Sequence, residues 1–277
     1  MKYTISQQIT SFNQINWVDV EKLIGGKVTE LICVNNQINS FQHLPNSVIV
    51  LNCDTNKITN FQHLPNSVTL LYCCNNQITS FQYLSNSVTD LYCYNNKITS
   101  FQHLPNSVIR FICDNNQITS FEHLSTSVTI LYCRNNKITS FQHLPNSVNV
   151  LYCGNNKITS FQQLPNSVTE LYCNYNKITS FQYLPNSINK LLCVNNPIKY
   201  IKDLLYIPSN FWCDMNITPD DIYKHRIIHG LNKINKIFKN KQVIRIQNNW
   251  QKYWYSELID VEGTQMCRFG YYCWKQM

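Results

Sequence analysis

The apolar positions of the chain recur in a fixed frame. Val68, Leu71, Cys73, Ile78, Phe81 and Leu84 mark one copy, and the same columns return at every twentieth residue before and after it. This spacing is too wide for the 3.6-residue period of a helix and too irregular for a long strand. It fits one coil of a solenoid whose apolar side turns inward. Within a coil, Leu71-Tyr72-Cys73 predicts a brief strand with residues 71 and 73 inward and 72 outward. Stacked coils then form a parallel sheet with about 4.8 Å between neighbouring strands. Ten such strand positions fall between residues 28 and 216.

The polar columns explain the bends. An Asn stands at 36, 56, 76 and every twentieth position to 216. Its amide can both donate to and accept from the main chain of a tight turn, so stacked copies are expected to satisfy one another's backbone. The Pro of "LPNS" at 45, 65, 105, 145, 165 and 185 fixes an extended return segment and leaves little room for a helix there.

Taken together the columns resemble a leucine-rich repeat, in the short 20-residue form with "LP" on its convex side seen in bacterial effectors. That resemblance implies a solenoid with a curved parallel β-sheet on its concave side and an irregular convex side. The Asn-rich and Cys-rich style, with Phe and Ile in place of Leu, also resembles leucine-rich repeat proteins of mimivirus-type giant viruses. Some bacterial relatives attach a ubiquitin-ligase domain with a catalytic Cys. Residues 219–277 are far too short for one, and ligase activity does not carry over.

The expected organisation is an N-terminal cap at 1–27, the solenoid at 28–218 and a basic, helical C-terminal cap or tail at 219–277. "QITSF" at 8–12 copies the end of a repeat, Asn16 suits a helix N-cap, and Gly25-Gly26 suits its stop. Near the other end, Thr218 and Pro219 suit a helix start and Gly230 its end, with a second helical pattern from about 231 to 257. No run of 18 apolar residues is present, and "MKYTISQQITSFNQINW" lacks the features of a signal peptide. The expected location is the cytoplasm, or the host-cell cytoplasm for a viral protein.

Composition changes this picture in two places. Ten of the 13 cysteines, Cys33 to Cys213, share one inward column, where a reduced thiol behaves as a small apolar side chain. Cys74 follows an inward Cys73 and is expected to point outward as a surface thiol. The formal net charge is +8, yet the outward strand columns carry Glu30, Asp54, Asp90, Asp114, Glu170 and Asp214 against Arg110, Arg134 and Lys190, a net of −3. That disfavours nucleic acid in the groove. The positive charge lies in residues 219–277, with ten Lys or Arg against five Asp or Glu, and along an edge formed by Lys57, Lys97, Lys137, Lys157 and Lys177.

Candidate chemistry is sparse. The outer-side histidines at 43, 63, 103, 123 and 143 form a column that repeat duplication alone produces, with no carboxylate in register. His225 and His229 with Cys267 and Cys273 have a spacing longer than structural zinc pairs use. Neither set is assigned a metal, and no cofactor is implied. "IQNNWQKYWY" at 246–255 resembles the opening of a calmodulin-binding IQ motif, but the match stops early and packing on the last coil is the preferred use. No nucleophile, paired carboxylates or phosphate loop indicates catalysis.

What remains is the middle outward column: Ile32, Asn52, Tyr72, Tyr92, Ile112, Tyr132, Tyr152, Tyr172, Leu192 and Trp212. Tyr and Trp offer large contact area with few rotatable bonds and a polar tip. Tyr72, Tyr92, Tyr132, Tyr152, Tyr172 and Trp212, with Arg110 and Arg134 beside them, are therefore the expected partner-binding residues of a non-enzymatic protein-interaction scaffold. The pairs Asp90/Arg110, Asp114/Arg134 and Glu170/Lys190 are each expected to face one another across one coil. A second reading is nucleic-acid or anionic-surface binding through the basic tail and lysine edge.

Overall fold

The structure is a computed structural model and describes residues 1–198, 204 and 208–213. These lie in the first of two compact units, Met1–Met215. The predicted C-terminal helices, the IQ-like stretch, the basic tail and the His225, His229, Cys267 and Cys273 group fall outside the described residues.

Each coil contributes one three-residue strand to a single parallel sheet. In chain order these are β1 (Lys2–Thr4), β2 (Glu30–Ile32), β3 (Val50–Asn52), β4 (Leu70–Tyr72), β5 (Asp90–Tyr92) and β6 (Arg110–Ile112). They continue as β7 (Ile130–Tyr132), β8 (Val150–Tyr152), β9 (Glu170–Tyr172), β10 (Lys190–Leu192) and β11 (Asn210–Trp212). The 11 strands stack in sequence order, with Leu71 opposite Leu91 and Tyr72 opposite Tyr92, so that every column of the sequence is a column in space.

The inward columns fill the interior. Val68, Leu71, Cys73, Ile78 and Phe81 are completely buried, as are their counterparts in the neighbouring coils. Phe41, Phe61 and Phe81 stack at 6.4 Å, and Phe111, which replaces Leu in β6, packs edge-on against Phe81 at 5.5 Å and Phe101 at 5.8 Å.

The Asn column closes the hydrogen bonding where the chain leaves the sheet. Asn116 Nδ2 donates to the carbonyls of Cys113 and Asp114 in its own bend and of Cys93 one coil earlier, at 3.1–3.2 Å. Its Oδ1 accepts from the Ile98 N–H of the earlier coil at 2.9 Å. The same set recurs from Asn56 to Asn176, which is why a residue carrying both a donor and an acceptor is required there. Immediately before each ladder Asn the backbone is left-handed, as at Asn95 (φ 54°) and Asn115 (φ 53°), a conformation Asn tolerates better than most residues.

The start of the chain departs from expectation. β1 pairs with β2 and carries the sheet one coil further, while Ile5, Ile9 and Phe12 extend the core. Ile9 N–H donates to Asn36 Oδ1 as later isoleucines do to later ladder residues. Helix α1 (Trp17–Ile24) has the expected Asn16 N-cap and Gly25 C-cap (φ 75°), but none of its residues is buried. It is inserted in the return of the first coil, and the edge of β2 is covered by β1.

Candidate functional site

The open face of the sheet is built by the middle residue column. Each strand is three residues long with its central residue buried, so its last residue projects from the open face, and the parallel register places that side chain beside its counterpart in the next coil. Tyr72 and Tyr92 stack with centroids 4.5 Å apart. Tyr132 stacks on Tyr152 at 4.1 Å and Tyr152 on Tyr172 at 4.0 Å, within 9° of parallel. Ile112 separates the two stacks. Trp212 and Leu192 continue the column at half-buried positions.

The three-ring stack is ordered by its hydroxyls. The hydroxyls of Tyr132, Tyr152 and Tyr172 interact in sequence along the stack, and Tyr172 donates to Glu170 Oε2 at 3.4 Å. Burial pushes the phenols of Tyr132 and Tyr152 well above the usual tyrosine range, and they stay neutral donors at any physiological pH.

Charge on the flanking columns is arranged less uniformly than the sequence suggests. Arg110 Nη1 meets Asp90 Oδ1 at 3.0 Å and lies against the Tyr92 hydroxyl, and Lys190 Nζ meets Glu170 Oε1 at 3.2 Å, as expected. Asp114 and Arg134 do not pair through their side chains. Asp114 Oδ1 instead accepts from the Arg134 backbone N–H at 2.6 Å, while the guanidinium lies over Tyr152 at 4.6 Å and Tyr132 at 6.0 Å. Gly154, next in that column, makes room for the Asn174 side chain: a Cβ there would sit 2.8 Å from Asn174 Oδ1. Burial raises the Asp114 carboxyl to about 6, even though the Arg134 charge opposes the shift.

Two expected roles are corrected by this packing. Tyr152 is only 4% exposed, clamped between two rings and covered by Arg134, so it supports the surface without presenting one. Tyr72, Tyr92, Tyr132, Tyr172, Trp212 and Arg134 remain partly accessible, and Arg110 is exposed. Cys74 is fully buried, not a surface thiol. The strand ends at Tyr72, the chain turns left-handed at Asn75 (φ 54°), and Asp54 and Tyr94 close over the sulfur from the adjacent coils.

The cysteine column is inward as expected. Cys53 Sγ approaches the Tyr72 carbonyl at 3.2 Å and Cys73 Sγ the Tyr92 carbonyl at 3.4 Å, each reaching one coil forward. Burial pushes the thiols from Cys33 to Cys173 far up, so they are poor nucleophiles. The histidine column lies exposed at left-handed corners, φ 62–67°. Among the described residues no three His, Cys, Asp or Glu side chains converge as metal ligands, and no helix is long and apolar enough to cross a membrane.

Residues 126–166 match the family model for leucine-rich repeats in two copies. Among solved structures, YopM from Yersinia enterocolitica is similar at 22% identity and TM-score 0.57, over 69% of this chain and 44% of that one. The functional domain of InlJ from Listeria monocytogenes, described as including a cysteine ladder, is similar at 29% identity and TM-score 0.52, over 67% and 43%. An octameric complex of Latrophilin 3, Unc5D and the leucine-rich repeat protein FLRT2 contains a similar chain at 20% identity and TM-score 0.57, over 79% and 85%. The chain thus spans less than half the length of the first two. No curated protein matches it. The fold is a leucine-rich repeat solenoid.

Proposed function

We propose that the protein is a non-enzymatic interaction scaffold that binds a protein partner through the open face of its sheet. The observation that carries this reading is the pre-ordered aromatic column. Tyr72 and Tyr92 are held by stacking on each other, and Tyr132 and Tyr172 by stacking on Tyr152 and by contacts between their hydroxyls, before any partner arrives. A rigid aromatic surface loses little side-chain entropy on binding, and aromatic anchors dominate interface energetics. FLRT2 in its complex with Latrophilin 3 and Unc5D gives a precedent for this fold in protein assembly. The Asn-rich and Cys-rich repeat style supports a giant-virus origin and, with it, a host protein in the cytoplasm as partner.

A second reading rests on the lysine edge. Lys137, Lys157 and Lys177 stand exposed on three successive coils, and such a row attracts phosphate without reading sequence. Affinity capture from host lysate separates the two. Replacing Tyr72, Tyr92 and Tyr172 with Ala abolishes protein capture on the first reading, since truncating a hot spot costs at least about 2 kcal/mol. Replacing Lys97, Lys137 and Lys157 with Gln leaves it intact. Capture that survives the Tyr changes and is lost with the Lys changes, with steep salt dependence, establishes the second reading instead.

A further inference from the structure

The aromatic column has one gap, and the gap has the dimensions of one ring. Tyr92 and Tyr132 lie two coils apart, roughly 9.6 Å at the usual strand spacing. Neighbouring rings elsewhere in the column stack at 4.0–4.5 Å, so two stacking intervals fit between Tyr92 and Tyr132. The residue between them is Ile112, whose side chain is shorter than a phenol and does not reach as far from the sheet as the rings on either side. Exposure shows the difference. Tyr152, with a tyrosine on each side and Arg134 over it, is 4% exposed, whereas Ile112, with no such cover, remains partly accessible. The slot therefore has an aliphatic floor and two aromatic walls, with Arg110 at its rim against Tyr92 and close to Tyr132.

The charges beside the slot are also unequal. Arg110 is paired with Asp90, and Lys190 with Glu170. Arg134 makes no ion pair among the described residues, and its buried Nε has no hydrogen-bond partner. Its guanidinium lies over Tyr152, with Cζ 4.6 Å from the ring centroid, one coil beyond the Tyr132 wall. A guanidinium with no carboxylate of the described residues within 4.0 Å, its charge offset only in part by the buried Asp114 one coil earlier, favours a carboxylate, which it can bind through two parallel N–H donors.

We propose that the partner is a protein segment that inserts an aromatic side chain into the Ile112 slot, completing the stack between Tyr92 and Tyr132, and places a neighbouring Asp or Glu on Arg134. This rests on the reading of the open face as the protein-binding surface, and it narrows that reading to an acidic-aromatic sequence. Filling the slot from within blocks it: Ile112→Tyr supplies the missing ring.

The probe is a phage-displayed random peptide library selected on the full chain. The recovered peptides carry an aromatic residue within a few positions of Asp or Glu, and their affinity falls at least about tenfold on both Ile112→Tyr and Arg134→Gln. Circular dichroism melting checks that Ile112→Tyr retains the fold. Arg134→Gln leaves the floor and both walls of the slot in place and carries the test alone if Ile112→Tyr does not fold. Peptides that bind both variants as they bind the parent, yet fail on the Tyr72, Tyr92 and Tyr172 to Ala variant, overturn the slot and leave the open face standing. Peptides indifferent to all three variants, or no recovered peptides, overturn both. Competition by single-stranded oligonucleotides, with no peptide blocked by Ile112→Tyr, shows a base as the occupant and also overturns the proposal.

Discussion

Removing one rung of the asparagine ladder tests what holds the coils together. In Asn116→Ala the Ile98 N–H loses its acceptor at 2.9 Å, and the carbonyls of Cys93, Cys113 and Asp114 lose a donor at 3.1–3.2 Å. Asn116 is only 7% exposed, so water does not readily replace it. A buried polar group left without a partner costs about 1 to 3 kcal/mol. The Ile98 N–H sets the lower bound, and the carbonyls raise the expected loss to about 2 to 5 kcal/mol, a large share of an ordinary domain's stability. Asn116→Asp separates the two halves of the rung. It keeps an acceptor for Ile98 but turns a carboxylate toward three carbonyls, so at neutral pH it is at least as destabilising as Ala. That repulsion raises the folded-state pKa of the new carboxyl, and the deficit shrinks as pH falls and the group becomes a donor. Gln117→Ala is the control: its side chain is exposed and accepts only a 3.4 Å bond from Lys137, so the change stays within about 0.5 kcal/mol. Urea titration followed by far-UV circular dichroism measures all three. If Asn116→Ala unfolds at the same urea concentration as Gln117→Ala, the ladder is not what closes the bends.

Two further predictions follow from the buried polar and thiol groups. The Asp114 carboxyl is raised to about 6 by burial, so its ionised form opposes folding: its contribution is fully present below about pH 4 and is lost as pH rises through 6, up to about 3 kcal/mol in all. Asp114→Asn keeps the acceptor for the Arg134 N–H and flattens that part of the stability–pH curve; parallel curves for the two proteins refute the assignment. Cys74 should resist alkylation of the native protein as strongly as Cys73, both being fully buried, with peptide mapping as the readout; modification of Cys74 at the rate of a free thiol refutes its placement.

The repeat made the interior legible because each interior column is constrained three times over: by burial, by its stacked neighbour and by a backbone group that needs a partner. The Leu71 and Cys73 alternation, the Asn ladder and the ten strands from β2 to β11 could all be read from one coil and extended. β1 escaped notice because "KYT" carries neither the Cys nor the Asn of the pattern, although the "QITSF" that follows it required a strand upstream. Cys74 was misplaced by a different error. Period-two alternation applies only while the strand lasts, and this strand stops at Tyr72, two residues short of the position in question.

The open face was harder to read for a physical reason. An inward side chain has one environment, but an outward one on a stacked sheet chooses between its two neighbours, its own flanking residues and solvent, and these differ by little in free energy. Thus Asp90 takes the cation of the next coil while Asp114 takes a main-chain N–H, although both stand one coil before an arginine in their own column. Arg134 instead lies over the ring of Tyr152, with Cζ 4.6 Å from its centroid. Such small preferences build distinct local surfaces on identical coils, so specificity can arise on this sheet without disturbing the ladder and core that hold it.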